Sequence, residues 1–377
     1  MASVFKKLNC RLDWLLISAT IPLVIFGLVT MNSFLTESYF FNRQITWILL
    51  AYALLLIFSF GDWRILRKSW LLVTLYFLAI ATLALLFVLG QVTKGAQSWF
   101  SLGGLSLQPA DFMKLILVLM LAKYFSKRHI EIANIRHIVV SGLYAFVPFV
   151  FILLQPDFGS ALIIFLIWLG MILVSGVSKK HLALLGLLAV IVSVGAWSFV
   201  LQDYQQKRIM TFIHPLADIH GSGYNAFQST VAVGSGQILG KGVGYGTQSR
   251  LKFLPEYQTD FIFAAFAEEW GLIGVLILFL LFGVIIWRIL ANSLVGATNF
   301  ETLFGLGLTI MFLSHIIIHV GMNIGLLPVT GLPLPFMSYG GSHLFAEFIG
   351  LGLLMGMRKY SLSFHRDDAK NEFIGPQ

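Results

Sequence analysis

Lys252-Phe253-Leu254-Pro255-Glu256-Tyr257-Gln258-Thr259-Asp260-Phe261-Ile262-Phe263-Ala264-Ala265-Phe266-Ala267-Glu268-Glu269 starts as a polar, charged loop and runs without a break into a long apolar segment. Four carboxylates fall in it, Glu256, Asp260, Glu268 and Glu269, in a chain where only 11% of residues are charged. Asp260 stands where loop becomes helix. An apolar helix of this length reads as a membrane span, and acids within or beside a span are costly and by default functional.

Working outward, the whole chain has the same character. Its 377 residues are 58% hydrophobic, with a mean hydropathy of +0.87, far from the soluble average. The apolar runs are continuous rather than alternating, which argues against a β-barrel. The single cysteine, Cys10, excludes an intramolecular disulfide and a cysteine metal site. Ten runs stand out, roughly 13–31, 43–60, 70–90, 109–125, 138–154, 158–176, 181–201, 260–288, 303–325 and 342–357. The first follows Lys6, Lys7 and Arg11 but has no small-residue cleavage site after it, so it reads as an anchor and not a signal peptide.

Ten spans put both termini on one side. With that side cytoplasmic, it holds 17 of the 25 basic residues, and the far side holds seven, Lys94 and Lys241 among them. This is the positive-inside bias. The net charge of +8 is therefore a topology signal, and nucleic acid drops out as a partner. The expected fold class is an all-α membrane protein, one polytopic domain over 1–377. It has about ten transmembrane helices and a large extracytoplasmic loop between helices 7 and 8. That loop, 202–259, is far longer than a connection needs. Its aromatic residues, interspersed charge and eight glycines between Gly221 and Gly246 suit a folded cap over an outer-face site.

In this topology four helix starts meet at the outer face, near Asp111, Asp157, Asp260 and Gly340-Gly341-Ser342. Gln108-Pro109-Ala110-Asp111 and Gln155-Pro156-Asp157 both mark such starts, since proline suits a first turn and an early acid complements the helix dipole. Free N–H groups at helix starts favour phosphate. With Lys94 and Lys114 alongside, the pocket suits a lipid-linked phosphate or pyrophosphate, with a divalent cation as a candidate companion. Asp260 also suits a plain N-cap, worth about 1 kcal/mol. Glu268 lies two turns further on, about 80° around the helix, so both acids can face one cavity; Glu269 points elsewhere. Asp111 and Lys114 suit an i,i+3 ion pair as well as a ligand site. His315 and His319 lack a third ligand in register and read as polar contacts inside the bundle, and His343 with Glu347 as a mutual pair. Gly234-Ser235-Gly236-Gln237-Ile238-Leu239-Gly240-Lys241-Gly242 fails as a phosphate loop, because Ser235 stands where the first glycine belongs and Gly242 where Ser or Thr should be.

Several motifs, in order along nearly the whole chain, resemble one family. They are Lys94-Gly95-Ala96-Gln97 with Trp99, Gln108-Pro109 with Lys114, and Gln155-Pro156-Asp157-Phe158-Gly159. Gly246-Thr247-Gln248-Ser249 and Phe253-Leu254-Pro255-Glu256 with Thr259-Asp260-Phe261 follow, and then Leu327-Pro328 through Ser338-Tyr339-Gly340-Gly341-Ser342. The chain resembles the shape, elongation, division and sporulation (SEDS) proteins, and its Lys-Gly-Ala-Gln and Gly-Thr-Gln-Ser forms resemble the elongation branch. The resemblance implies a peptidoglycan glycosyltransferase in the bacterial plasma membrane, polymerising lipid II on the outer face. It further implies a class B penicillin-binding protein as transpeptidase partner, beside other elongation-complex membrane proteins. Asp260 would be the general base. The substrate site would draw on Lys94, Gln97, Trp99, Asp111, Lys114, Gln248, Ser249, Glu256 and Ser338, with no organic cofactor and Mg2+ or Mn2+ as the candidate cation. Three positions depart from the family pattern: Ser98 for its usual Arg, Ala110-Asp111 for Ser-Glu, and His319 for Asn. A lipid II flippase and a non-catalytic cell-wall scaffold are the competing readings.

Overall fold

A computed structural model describes residues 12–33, 38–93, 96–102, 105–127, 135–176, 222–251, 253–254 and 256–371, with isolated positions between 180 and 210. Those positions aside, the span expected at 181–201, the first part of the long loop at 202–221 and Lys94 lie outside the described residues.

The helices are α1 (Trp14–Asn32), α2 (Ser38–Phe60), α3 (Ser69–Leu89), α4 (Pro109–Ser126), α5 (Ile135–Leu154), α6 (Phe158–Val174), α7 (Ser222–Ser235), α8 (Thr247–Arg250), α9 (Ile262–Leu294), α10 (Asn299–Asn323) and α11 (Gly341–Asn371). Six of the described helices, α1, α2, α3, α5, α9 and α10, are long and apolar enough to cross a membrane. Helix α6 is apolar but shorter, and α4 carries Asp111, Lys114 and Lys123. The expected all-α fold needs one correction. Between α3 and α4 the chain forms a small antiparallel sheet in the order β1 (Gln91–Thr93), β2 (Ala96–Leu102), β3 (Leu105–Leu107). Phe100 pairs with Leu107 and Gln91 with Trp99. Alternation over so few residues is too short to stand out between two long apolar runs.

The bundle has a centre and a rim. Helix α4 packs against α3, α6, α10 and α11 and buries its charged residues Asp111 and Lys114 with its apolar ones; α10 is buried along most of its length. Rim helices α3, α5 and α9 instead leave Phe77, Leu78, Phe146, Leu276 and Leu280 exposed. That is how a membrane bundle accommodates polar groups: they face the interior, and apolar side chains face lipid.

The helix that the opening stretch leads into is broken just beyond it. Gly271 interrupts α9 with φ 63° and ψ −165°. Such a break frees backbone groups that lipid cannot satisfy, so it is tolerated only where protein covers it. The cover is the glycine-rich segment after α7. Leu272 and Ile273 donate to the carbonyls of Gln237 (2.9 Å) and Ile238 (3.2 Å), while Lys241 and Gly242 donate to those of Glu268 (2.9 Å) and Glu269 (3.0 Å). The approach is too close for side chains. A Cβ on Gly236 would lie 2.0 Å from the Ala267 carbonyl oxygen, and one on Gly240 would lie 2.1 Å from that of Glu269. The glycines that fail as a phosphate loop therefore serve to staple a broken helix.

Candidate active site

Helix α9 begins at Ile262, with Phe261 as its N-cap and no side-chain cap bond from it. Asp260 thus stands one residue ahead of the cap, in a turn organised by Glu256. Glu256 adopts φ 56°, a left-handed conformation costing about 1–2 kcal/mol for a residue with a side chain. Its carbonyl accepts from the N–H groups of Thr259 (3.1 Å), Asp260 (3.1 Å) and Phe261 (3.3 Å).

The other support is the strap between α10 and α11. Ser338 Oγ donates to the Thr259 carbonyl (2.8 Å) and accepts from the Leu334 N–H (2.8 Å). The Tyr339 N–H donates to the Gln258 carbonyl at 2.9 Å. Gln44 on α2 clamps the strap with both ends of its amide, donating to the Ser338 carbonyl (3.1 Å) and accepting from the Gly340 N–H (3.3 Å). Earlier in the strap, Gly331 has φ 73°, and a Cβ there would lie 3.7 Å from Asp260 Oδ2. A Cβ on Gly159, in the first turn of α6, would lie 2.8 Å from the Thr330 carbonyl oxygen. The strap therefore runs between the starts of α6 and α9 and leads into α11.

The start of α4 joins the same end. Lys114 Nζ lies 3.0 Å from Asp111 Oδ1, both side chains almost fully buried, and Ser342 Oγ donates to Asp111 Oδ2 at 3.1 Å. His343 brings Nδ1 to 3.7 Å from Asp111 and Nε2 to 2.7 Å from Glu347 Oε1. Glu347 in turn accepts from the Phe336 N–H at 3.0 Å. His315 packs its ring against His343, centroids 4.9 Å apart, and His319 Nδ1 lies 2.6 Å from the Leu332 carbonyl. Gln108 donates to Asp157 Oδ2 at 2.7 Å, while Asp157 Oδ1 caps α6 by accepting from the Ser160 N–H at 3.0 Å. The starts of α4, α6, α9 and α11 are thus tied together.

Three expected groupings change. Glu268 does not share a cavity with Asp260: it is fully buried, and its Oε1 accepts from Lys241 Nζ (2.8 Å), Thr247 Oγ1 (3.2 Å) and the Gln248 N–H (3.1 Å). The break at Gly271 leaves Glu268 in the last turn of the half-helix, where it holds the stapling loop. Gln248 belongs to that loop cluster, and Glu269 takes the Gly244 N–H at 2.7 Å. Ser338 uses its hydroxyl on two protein partners, so it positions the Asp260 turn. Trp99 lies on β2 beside buried Ser98; the side chains of Gln97 and Ser249 lie outside the described residues. Sequence reading missed two residues, Gln44 and Asn323. For Asn323 the signal was there, an amide near the end of an apolar run; Gln44 was masked by the polar run Asn42-Arg43-Gln44.

Among the described residues no three His, Cys, Asp or Glu side chains gather as metal ligands, and Asp111 already meets Lys114 and Ser342.

Apolar helices with buried charges inside, exposed apolar side chains outside and several helix starts tied together at one end define a polytopic membrane protein with a polar centre. The chain belongs to the family FTSW_RODA_SPOVE, described as cell cycle protein, whose model matches residues 10–362. It is 37% identical over 289 residues to the Escherichia coli K12 peptidoglycan glycosyltransferase MrdB, covering 76% of this chain and 77% of that one. It is 35% identical over 364 residues to stage V sporulation protein E of Bacillus subtilis, covering 93% and 97%. Among solved structures it matches a chain from work on polymerization and crosslinking by a peptidoglycan synthase complex. That match has a TM-score of 0.79 and 31% identity, over 93% of this chain and 98% of that one.

Proposed function

We propose that this chain polymerises lipid II into glycan strands during cell elongation, with Asp260 as general base. The acceptor sugar's 4-hydroxyl oxygen attacks the donor's anomeric carbon and gives its proton to Asp260. The anomeric C–O bond breaks, and undecaprenyl pyrophosphate leaves with the electron pair. A base must sit within hydrogen-bond reach of that proton. The observation carrying this reading is the bracing of the Gln258–Asp260 backbone by Glu256, Ser338 and Tyr339, since a reacting group must be held before substrate arrives. Lys94, Lys114 and the starts of α4, α6 and α11 would stabilise charge developing on the pyrophosphate. Gln97, Trp99, Ser249 and Glu256 would line the lipid II site, and any Mg2+ or Mn2+ would come with the pyrophosphate.

The same reading holds ten spans, both termini cytoplasmic, Asp260 facing out, and 202–259 as a cap. It takes a class B penicillin-binding protein as partner; the likeness to a synthase that couples polymerization with crosslinking supports this. The test is polymerisation of labelled lipid II by purified protein, with and without that partner. Asp260→Ala should abolish product while keeping the wild-type melting profile, and normal polymer from the folded variant would sink the reading. The broken helix α9 gives the flippase reading one point of support, since transporters use such breaks to bind substrate. Here the four backbone groups beside Gly271 bond to residues 237–242. Liposomes with labelled lipid II discriminate, because a flippase moves label in the Asp260→Ala variant too.

A further inference from the structure

Asn323, the last residue of α10, is fully buried. Its Nδ2 donates to the carbonyls of Asp260 (3.1 Å) and His319 (2.8 Å). Its Oδ1 accepts from the Ala264 N–H (3.2 Å) and from Ser229 Oγ (3.2 Å) on α7. The amide orientation follows from these partners. Turned over, it would set its NH2 against an N–H donor and its oxygen against two carbonyls.

The first N–H groups of a helix have no partner within it. Phe261, at the N-cap of α9, has no side chain able to accept. Ala264 carries the third of those N–H groups, and its acceptor comes from another helix.

We propose that Asn323 is a positioning residue for the glycosyl transfer reaction. It caps α9 in trans through Ala264 while gripping the Asp260 carbonyl, and so sets the direction of the Asp260 side chain. This rests on the reading of Asp260 as general base. Asn323 touches neither reacting sugar; it acts on the acid through two backbone groups on either side of the helix start. Ser229 holds the amide from the far side, and also donates to the Asn323 carbonyl at 2.9 Å.

The test measures kcat, KM and the pH–rate profile of lipid II polymerisation by the full chain with its partner. Wild type, Asn323→Ala, Asn323→Asp and Asp260→Ala are compared, each checked for folding by its melting profile. Asn323→Ala is expected to lower kcat roughly 100-fold, the scale of a 1 Å misplacement, with KM within about twofold. Asn323→Asp keeps the acceptor facing Ala264 and Ser229 but places a second carboxylate beside Asp260. A like charge raises a carboxyl's pKa, so the acid limb of the profile should move to higher pH. Folded variants with wild-type kcat and an unmoved acid limb would overturn the proposal, as would a change in KM alone. If Asn323→Ala does not fold, Asn323→Asp and Ser229→Ala decide, the latter expected to lower kcat about tenfold; wild-type kcat in both overturns it. Activity in Asp260→Ala is a separate failure, that of the general-base reading itself.

Discussion

The two ends of α9 hold an acid differently. At its far end, Arg288 makes a forked pair with Asp13, Nη2 at 2.7 Å and Nε at 2.9 Å from Oδ2, and Asn292 adds a bond at 2.7 Å. Asp13 also caps α1 through the Leu16 N–H, and Arg358 on α11 lies 3.6 Å away. One carboxylate there ties α1, α9 and α11. Nearby, Glu301 at the start of α10 pairs with Arg67 at 2.7 Å. At the Asp260 end the bonds fall on the peptide: the Glu256 carbonyl accepts from the Asp260 N–H, the Asn323 amide donates to the Asp260 carbonyl, and Ser338 Oγ and the Tyr339 N–H donate to the carbonyls of Thr259 and Gln258. Asp13 is an anchor held through its carboxylate, and the turn that bears Asp260 is braced through its backbone.

Asp111 and Lys114 stand between these types, and they offer the largest expected effect. Removing one partner of a buried pair leaves an uncompensated charge, at a cost of about 3–5 kcal/mol. Lys114→Met should therefore lower the thermal midpoint in detergent sharply and stop polymerisation. The double variant Asp111→Leu/Lys114→Met should recover most of the midpoint, because an apolar pair removes the stranded charge. If the pair also serves the pyrophosphate, the double variant stays inactive. Recovery of both stability and product would make the pair structural only and move it into the Asp13 class.

The staple at Gly271 comes next. Gly240 has φ 81°, and its added methyl would sit 2.1 Å from a backbone oxygen, so Gly240→Ala must push the loop off the break. The expected loss is about 1–3 kcal/mol, the range for overpacking. Proteolysis within 237–248 should quicken in step, because the cluster around Glu268 opens with the staple. An unchanged melting profile and unchanged proteolysis would show that the loop is not what holds the broken helix.

These comparisons also show what was legible in the residues. Helix starts at Pro109, Asp157 and Gly341 follow from local chemistry, and so does the Asp111–Lys114 pair, because its members are three residues apart on one helix. The Gly271 break was not legible: one glycine in a long apolar run is tolerated in a helix, and the groups that repair the break lie some thirty residues earlier. The role of Glu268 was hidden in the same way: its helical angle to Asp260 holds only for a helix that includes Asp260, and α9 begins at Ile262. Asn323 is separated from Asp260 by 63 residues, and nothing local connects an amide at one helix end to the cap of another.

The smallest expected effect tests the anchor end by pH. Burial pushes the Asp13 carboxyl up, but the hydrogen bonds from Arg288, Asn292 and Leu16, with the Arg288 charge, leave it below the ordinary value of 3.8. The folded state thus binds this proton less readily than the unfolded one. Its contribution is full above the unfolded carboxyl's value and is lost as pH falls through the lower folded value. Asp13→Asn removes the titration but keeps one acceptor oxygen. The midpoint gap between wild type and Asp13→Asn should stay constant from pH 8 to about pH 5 and shrink below about pH 4. A gap that stays flat to the acid limit of the fold would mean that Asp13 is not held by its charge, and the contrast between the two ends of α9 would lose its electrostatic half.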